Sequence, residues 1–402
     1  MSASTSLQGQ STAAAPQRFW AALTASTVIN LPFGSLYAFS VFLKPLETLL
    51  DVTRAELSFV FGLATIFFTL GMNVAPYLFR LASASVLVAG CAAAGAIGTA
   101  LAATAGGVVQ LALGYSVLFG LGGGAAYIIV QQGVNVMVRS HRGLINGYVV
   151  SLYPAGAMIA APLFGLGLGL FGVRGTMGAL AIAIALAGLA AVLLVIHSGM
   201  TLKAAPSAAA EAETPERYGL VFWQIAAVFL LAAAAGLTVL SQAAGMIAAY
   251  GGTTALALFA TTWITGCITA ARIGGGWLAD KFAVPYIMAA AHVVALAGAI
   301  GLTLWPGPLV AVATLSLVGM GYGFISGSTA AAVAFYWHVN AFGRIASRLY
   351  IAWGLAAISL PVVAGWLFDQ TGGYRAAMML AGGGNLIGIA IALTLPRQRR
   401  VT

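Results

Sequence analysis

Arg272 lies in the apolar run ITAARIGGGWLAD (268–280), with only small, apolar or hydroxyl side chains for a helical turn or more on either side. A guanidinium keeps its proton and presents a planar fork of N–H donors that matches a carboxylate. At membrane depth such a group costs about 2.5–3.5 kcal/mol on insertion scales, so something has to offset it. No acid of this chain is placed to do so: Glu47, Asp51, Glu56, Glu211, Glu213, Glu216, Asp280 and Asp369 all fall in loops or at the edges of apolar runs. Arg272 could snorkel along its helix toward Asp280, about 12 Å away. The other reading makes its counter-ion the cargo, an organic anion carried by the protein.

Polar side chains at helical spacing support a cavity around that cation. Asn30, Gly34 and Tyr37 share one helical face, as do Tyr127, Gln131 and Asn135; Asn146 and Tyr153 are seven apart. Thr265 and Thr269 lie on the Arg272 side of their helix, Tyr322 pairs with Ser326, and Tyr350 with Trp353. Each stripe alone also fits interhelical hydrogen bonding, but together with an unpaired cation they describe a wet, ligand-sized cavity. His292 is the other titratable group deep in an apolar run and a candidate proton site. Cys91 and Cys267 both sit inside such runs and read as packing residues, so neither a disulfide nor a metal site is expected.

The elements that must position these groups follow from composition. The 402 residues are 61% hydrophobic and 6% charged, with a mean hydropathy of +1.01, far from a soluble domain. Twelve apolar stretches are long enough to cross a bilayer: 18–43, 57–78, 85–104, 108–137, 143–170, 176–197, 219–246, 254–279, 285–304, 309–337, 345–368 and 376–395. They are expected to be helices, because backbone groups inside a bilayer must bond to one another. The net charge of +9 is distributed by topology. With a cytoplasmic N-terminus, Arg18, Arg80, Arg139, Arg142, Lys203, Arg217, Lys281, Arg344, Arg348, Arg397, Arg399 and Arg400 lie inside, against Lys44, Arg54, Arg174 and Arg375 outside. That bias predicts both termini in the cytoplasm and argues against a nucleic-acid partner. Residues 1–17 and 396–402 read as cytoplasmic tails, the first disordered, and 198–218 as a linker between six-helix bundles at 18–197 and 219–395. The halves echo one another: LFGLGGGAAY (118–127) aligns with LVGMGYGFIS (317–326), and FGVRGTM (171–177) with GGYRAAM (372–378), including Arg174 with Arg375. A duplicated unit is the expectation.

Twelve helices in two halves, a long central loop and GGGWLADKF (274–282) resemble the major facilitator superfamily. The corresponding first-half loop, APYLFRLASAS (75–85), lacks that group's acidic-basic pattern. Asp280 and Lys281, with Arg142 at the start of the fifth span, are therefore the gating candidates. GSLYAFSVFLKPLE (34–47), HRGLINGY (141–148) and GWLFDQTGGYRAAM (365–378) are similar to the oxalate/formate antiporter and bacterial monocarboxylate porter group. That resemblance implies carboxylate binding at Arg272, with Tyr37, Tyr127, Tyr153 and Tyr322 at lining aromatic positions and Trp353 where the oxalate carrier has a second cation. One cation in place of two favours a monocarboxylate, since a second buried carboxylate would go unpaired. An aspartate that animal monocarboxylate carriers place one turn before the arginine is here Ile268.

The expected function is secondary transport of a lactate-, pyruvate- or acetate-like anion across the cytoplasmic membrane by alternating access, with protons as the coupling ion and no cofactor. Arg272 pairs the carboxylate, Asn30 and Gln131 add polar contacts, and Leu31 and Leu144 fit the carbon chain. An oxalate/formate-like exchanger is the alternative. A membrane enzyme would need paired carboxylates or a nucleophile with its base inside the spans, and a channel a filter motif.

Overall fold

The computed structural model describes residues 16–203 and 219–397. Most of the N-terminal tail (1–15), most of the expected linker (204–218) and the last residues (398–402) lie outside the described residues. The α-helices are α1 (Pro16–Gly34), α2 (Leu43–Leu50), α3 (Arg54–Leu78), α4 (Ala84–Ala103), α5 (Val108–Leu111), α6 (Gly120–Met137), α7 (Arg142–Ser198), α8 (Leu220–Ala249), α9 (Thr254–Lys281), α10 (Val284–Leu304), α11 (Pro308–Tyr336), α12 (Phe342–Ala357), α13 (Leu360–Thr371) and α14 (Arg375–Leu393).

Among the described residues, eleven stretches are long and apolar enough to span a bilayer. One of them, α7, has 57 residues, about 85 Å of helix and far more than one crossing needs. Gly172 interrupts it in a non-helical conformation at φ 65°, and the chain doubles back there: a methyl group on Gly167 would lie 2.9 Å from the Thr176 side chain. The fifth and sixth expected spans are thus the two arms of α7, and the crossings number twelve.

Three spans are less regular than their apolar patterns suggest. The first runs to Leu50, beyond the expected end at 43, through a 3₁₀ stretch at Ser35–Phe42 that follows Pro32. The fourth passes through a π-helical stretch at Ala112–Phe119. The eleventh breaks at Ile358–Ser359 ahead of Pro361, whose ring disfavours helical backbone before it. Helix starts carry local signals: Thr53 and Glu56 form a reciprocal capping box on α3, and Ser83 and Thr253 cap α4 and α9. Leu163, Leu166, Leu170, Ile182, Leu186 and Leu193 on α7 face outward, as bilayer contact requires.

Glycines set how tightly α9 is held. A methyl group on Gly276 would strike the Gly143 carbonyl, one on Gly147 would lie 2.5 Å from the Arg272 carbonyl, and one on Gly327 of α11 would collide with that same carbonyl. The backbone carrying Arg272 is therefore pinched between α7 and α11, with no room for side chains at the crossing.

An even number of crossings puts Pro16, at the start of α1, and Leu393, at the end of α14, on one face of the bundle, here the terminal face. The two halves meet closely there. The Asp280 carboxylate accepts from the first backbone N–H groups of α7, Gly143 at 2.7 Å and Leu144 at 2.8 Å, a charge set on a helix N-terminus. Gln132 of α6 accepts at Oε1 from the Gly343 N–H (2.7 Å) and donates from Nε2 to the carbonyls of Val339 (3.1 Å) and Leu202 (3.0 Å). Arg348 of α12 donates to Asn73 Oδ1 and the Tyr77 hydroxyl of α3.

Candidate functional site

Arg272 is 4% exposed and is aimed away from Asp280. Its Nη1 donates to the Val150 carbonyl of α7 and its Nη2 to the Tyr322 hydroxyl of α11, both at 2.8 Å. The guanidinium also lies 5.2 Å from the centre of the Tyr322 ring, a cation–π distance. Both hydrogen-bond partners are neutral, and Nε has no partner among the described residues. The snorkelling alternative is replaced by a fixed, interior cation with N–H capacity to spare.

Tyr322 organises the other side. Its hydroxyl oxygen accepts from Arg272 and also from Trp353 Nε1, at 2.9 Å. Two accepted bonds use both lone pairs, so the O–H itself is left to donate. Trp353 thereby serves as a prop for the arginine's partner.

Aromatic rings from both halves close around these groups. Tyr37 lies 6.2 Å from both Tyr153 and Trp353, and Phe68 lies 5.1 Å from Tyr153 and 5.9 Å from Trp353. Tyr127 stands edge-on to Tyr153 at 5.3 Å and to Tyr350 at 5.4 Å, and the Tyr127 and Tyr350 hydroxyls are hydrogen-bonded to each other. With Ser326 these residues line one cavity of about 10 Å³, room for about one water. Even a small carboxylate needs the cage to part.

Six of the ten substrate-binding candidates, Arg272, Tyr37, Tyr127, Tyr153, Tyr322 and Trp353, line this cavity; Leu31, Leu144, Asn30 and Gln131 do not. Leu144 lies at the terminal-face seam, where its N–H meets Asp280, about 9 Å of helix from Val150. Leu31 is half-buried at the α1–α7 crossing, its carbonyl against Gly156. Asn30 Nδ2 donates to Ser26 Oγ, and Gln131 is buried beside the cavity without lining it. His292, fully buried, uses Nδ1 to meet Asn385 Oδ1 of α14 at 2.8 Å and packs its ring against Gly388; it too stands apart from the cavity. Among the gating candidates, Asp280 joins the two halves, Lys281 sits 3.8 Å over the Trp277 ring, and the Arg142 carbonyl accepts from Asn146.

Sequence reasoning passed over Phe68 and Gln132. A phenylalanine in a membrane span carries no signal that separates a cavity wall from a lipid contact. Gln132 was visible as a polar residue in an apolar run, one position from the stripe that drew attention. Among the described residues, no three His, Cys, Asp or Glu side chains gather where they could hold a metal.

A bundle of twelve crossings with a polar site shared between its halves invites comparison with known carriers. The sequence profile of the major facilitator superfamily matches residues 27–358. The chain belongs to that superfamily. It is a membrane transporter and not an enzyme. It is 23% identical to the uncharacterised MFS-type transporter YhjX of Escherichia coli K12 over 359 residues, covering 84% of this chain and 86% of that one. In fold it is similar to the proton:xylose symporter XylE bound to 6-bromo-6-deoxy-D-glucose, with a TM-score of 0.76, 15% identity and coverage of 95% and 96%. It is also similar to the human organic anion transporter MFSD10, with a TM-score of 0.68, 14% identity and coverage of 94% and 100%. Neighbours of this fold thus include a sugar symporter and an organic anion transporter.

Proposed function

We propose that this protein is a secondary transporter of a small monocarboxylate, of the size of acetate, lactate or pyruvate, working by alternating access with proton coupling. The observation that carries the reading is Arg272: a buried cation whose hydrogen bonds among the described residues go to neutral groups, the Val150 carbonyl and the Tyr322 hydroxyl among them, with an unpartnered Nε. A permanent charge in a dry cage is stabilised by an anion of its own size, and the spare N–H of Arg272 with the O–H of Tyr322 offers two donors to one carboxylate. Sugars lack the charge that would balance the site.

The cage supports small size and single charge. Rings of Tyr37, Phe68, Tyr127, Tyr153 and Trp353 leave a water-sized space, and Arg272 is the cation among the lining residues. With no carboxylic acid in that lining, the coupled proton travels on the substrate or at its carboxylate site. Binding neutralises the arginine and lowers the barrier to rocking one half past the other. The excess of Lys and Arg on the terminal face favours termini in the cytoplasm and residence in the cytoplasmic membrane. The bundles at 18–197 and 219–395 are the rocking units, with 198–218 joining them.

Reconstituted proteoliposomes test this directly. Labelled lactate, pyruvate and acetate should each be assayed for uptake with and without an inward proton gradient, and for counterflow. Gradient-driven uptake is expected, with Arg272→Gln weakening substrate affinity roughly ten- to a hundredfold, the worth of charge-assisted hydrogen bonds of about 1.5–3 kcal/mol. Unchanged uptake by Arg272→Gln would remove the arginine from the site. Uptake that needs a second anion trapped inside would make the protein an exchanger.

A further inference from the structure

The second half carries a pocket that the transport site does not use. At the terminal face the ends of α9 and α11, the start of α10 and the segment after α14 surround a space of about 210 Å³, lined in part by Lys281, Phe282, Val284, Phe335, Tyr336 and Arg397. Several waters, at about 30 Å³ each, fit such a volume, and so does a phosphate group. The pocket is remote from the cage: Tyr336 stands about 21 Å along α11 from Tyr322.

Its chemistry suits an anion. Among the described residues of the lining, Lys281 and Arg397 carry charge and no acid stands with them. Asp280, next to Lys281 in sequence, gives its carboxylate to the first N–H groups of α7. Each cation lies over an aromatic ring, Lys281 Nζ 3.8 Å from the centre of Trp277 and the Arg397 guanidinium 5.1 Å from that of Tyr286. A ring face holds the charge without consuming N–H donors, which remain for the oxygens of an anion. The segment bearing Arg397 is fastened in place: the Tyr336 hydroxyl donates to the Pro396 carbonyl at 2.7 Å, and Gln224 of α8 donates to the Thr394 hydroxyl at 2.8 Å. Helix α10 also begins here, with Val284 in the wall, and a helix N-terminus adds partial positive charge.

The surroundings indicate which anion. Trp277, Phe282 and Tyr286 are exposed at the ends of membrane-crossing helices, the depth at which aromatic rings sit among lipid headgroups. Beyond Tyr286 the same face of α10 continues with Val293 and Ile300, both exposed, an apolar track about 21 Å long on which an acyl chain can lie. A soluble anion gains nothing from such a track. A phospholipid uses both parts, and basic pockets between helices at a membrane surface suit anionic headgroups.

We propose that this pocket binds one anionic phospholipid of the terminal-face leaflet, with its phosphate between Lys281 and Arg397 and an acyl chain along α10. The site is independent of what the cage carries.

Native mass spectrometry of the purified protein tests it, in micelles holding equal amounts of phosphatidylglycerol and phosphatidylcholine and no transport substrate. The ratio of the two lipids retained is the readout, and the unmodified protein is expected to favour phosphatidylglycerol. Lys281→Gln and Arg397→Gln should each lower the ratio about fivefold and the double variant about thirtyfold, the worth of one and two charges at a membrane surface. Exchanging the cations, Lys281→Arg with Arg397→Lys, should keep the preference. Arg80→Gln, at the terminal end of α3 and outside the pocket, should leave it unchanged. A ratio unaltered in the double variant overturns the site. An equal fall in Arg80→Gln overturns it too, by making the preference a general attraction of a basic face. A fall in the charge-preserving exchange does the same, by making the two residues part of the fold. Release of phosphatidylglycerol by inorganic phosphate would assign the pocket to a soluble anion and overturn the lipid as its occupant.

Discussion

Tyr322 is the side chain on which the cage turns, because one phenolic oxygen receives both Arg272 and Trp353. Tyr322→Phe keeps the ring and removes the acceptor, leaving two buried N–H groups unsatisfied at a cost of about 1–3 kcal/mol each. The expected outcome is a lower thermal midpoint in the absence of substrate together with weaker carboxylate binding, both measurable on purified protein by thermal unfolding and titration calorimetry. Trp353→Phe removes only one donor and is expected to do less on both counts. At this scale the sequence was informative where polarity stood against an apolar background. Arg272 and the tyrosines could be picked out because hydroxyls and charges are rare at that depth. Asn30 and Gln131 stood out for the same reason, yet neither lines the cavity, since spacing along a helix gives the face but not where along it a cavity ends. Phe68 gave no such contrast and emerged only when rings from two halves were seen to meet.

At the scale of the helices, α9 is positioned by what its neighbours lack. Gly276→Ala puts a methyl group into the Gly143 carbonyl and within 2.8 Å of Gly147 Cα, and backbone on both sides leaves nothing flexible to give way. An overpacking cost of about 1–3 kcal/mol is expected, seen as a fall in thermal midpoint and in carboxylate affinity as Arg272 is displaced. Gly165→Ala on α7, where a methyl group meets nothing within 4 Å, is the matched control and should leave both unchanged. The existence and approximate limits of the spans were readable from runs of apolar residues, and the reversal near Gly172 from the short interval between two of them. The 3₁₀ stretch at Ser35–Phe42 and the π stretch at Ala112–Phe119 were not. Helical periodicity in a uniformly apolar segment is too weak to register a local change of winding, which depends on how closely a neighbouring helix approaches.

Across the whole molecule the two seams of the terminal face are related by the internal repeat, and they differ in chemistry. Gly143 opens α7 and Gly343, 200 positions on, opens α12. The Gly143 N–H is held by the Asp280 carboxylate; the Gly343 N–H is held by the Gln132 amide, with the Phe79 ring against the same glycine at the 2.8 Å a methyl group would meet. The loop APYLFRLASAS lacks an acid, and a neutral side chain from α6 has taken over the task of meeting that helix end. Asp280→Leu and Gln132→Leu should each loosen the terminal face. Pairs of spin labels on the terminal ends of α6 and α11 are expected to show a larger share of long distances in either variant, and the largest in the double variant. Distances that stay put in both would mean that closure is carried elsewhere.

Both seams share one further property. In each, a side chain from one half grips the main chain of the other: Asp280 takes the N–H groups of residues 143 and 144, and Gln132 takes the N–H of 343 and the carbonyl of 339. Main-chain groups do not change when a codon does. At Leu144 and Val339 almost any replacement still supplies the same main-chain group, proline excepted at 144, whereas at Gly143 and Gly343 a methyl group would already meet the Gly276 carbonyl or the Phe79 ring. Inherited variation around these seams should therefore fall unevenly, freest at 144 and 339 and narrowest at the two glycines and at Asp280 and Gln132, with proline at 144 the exception to that freedom.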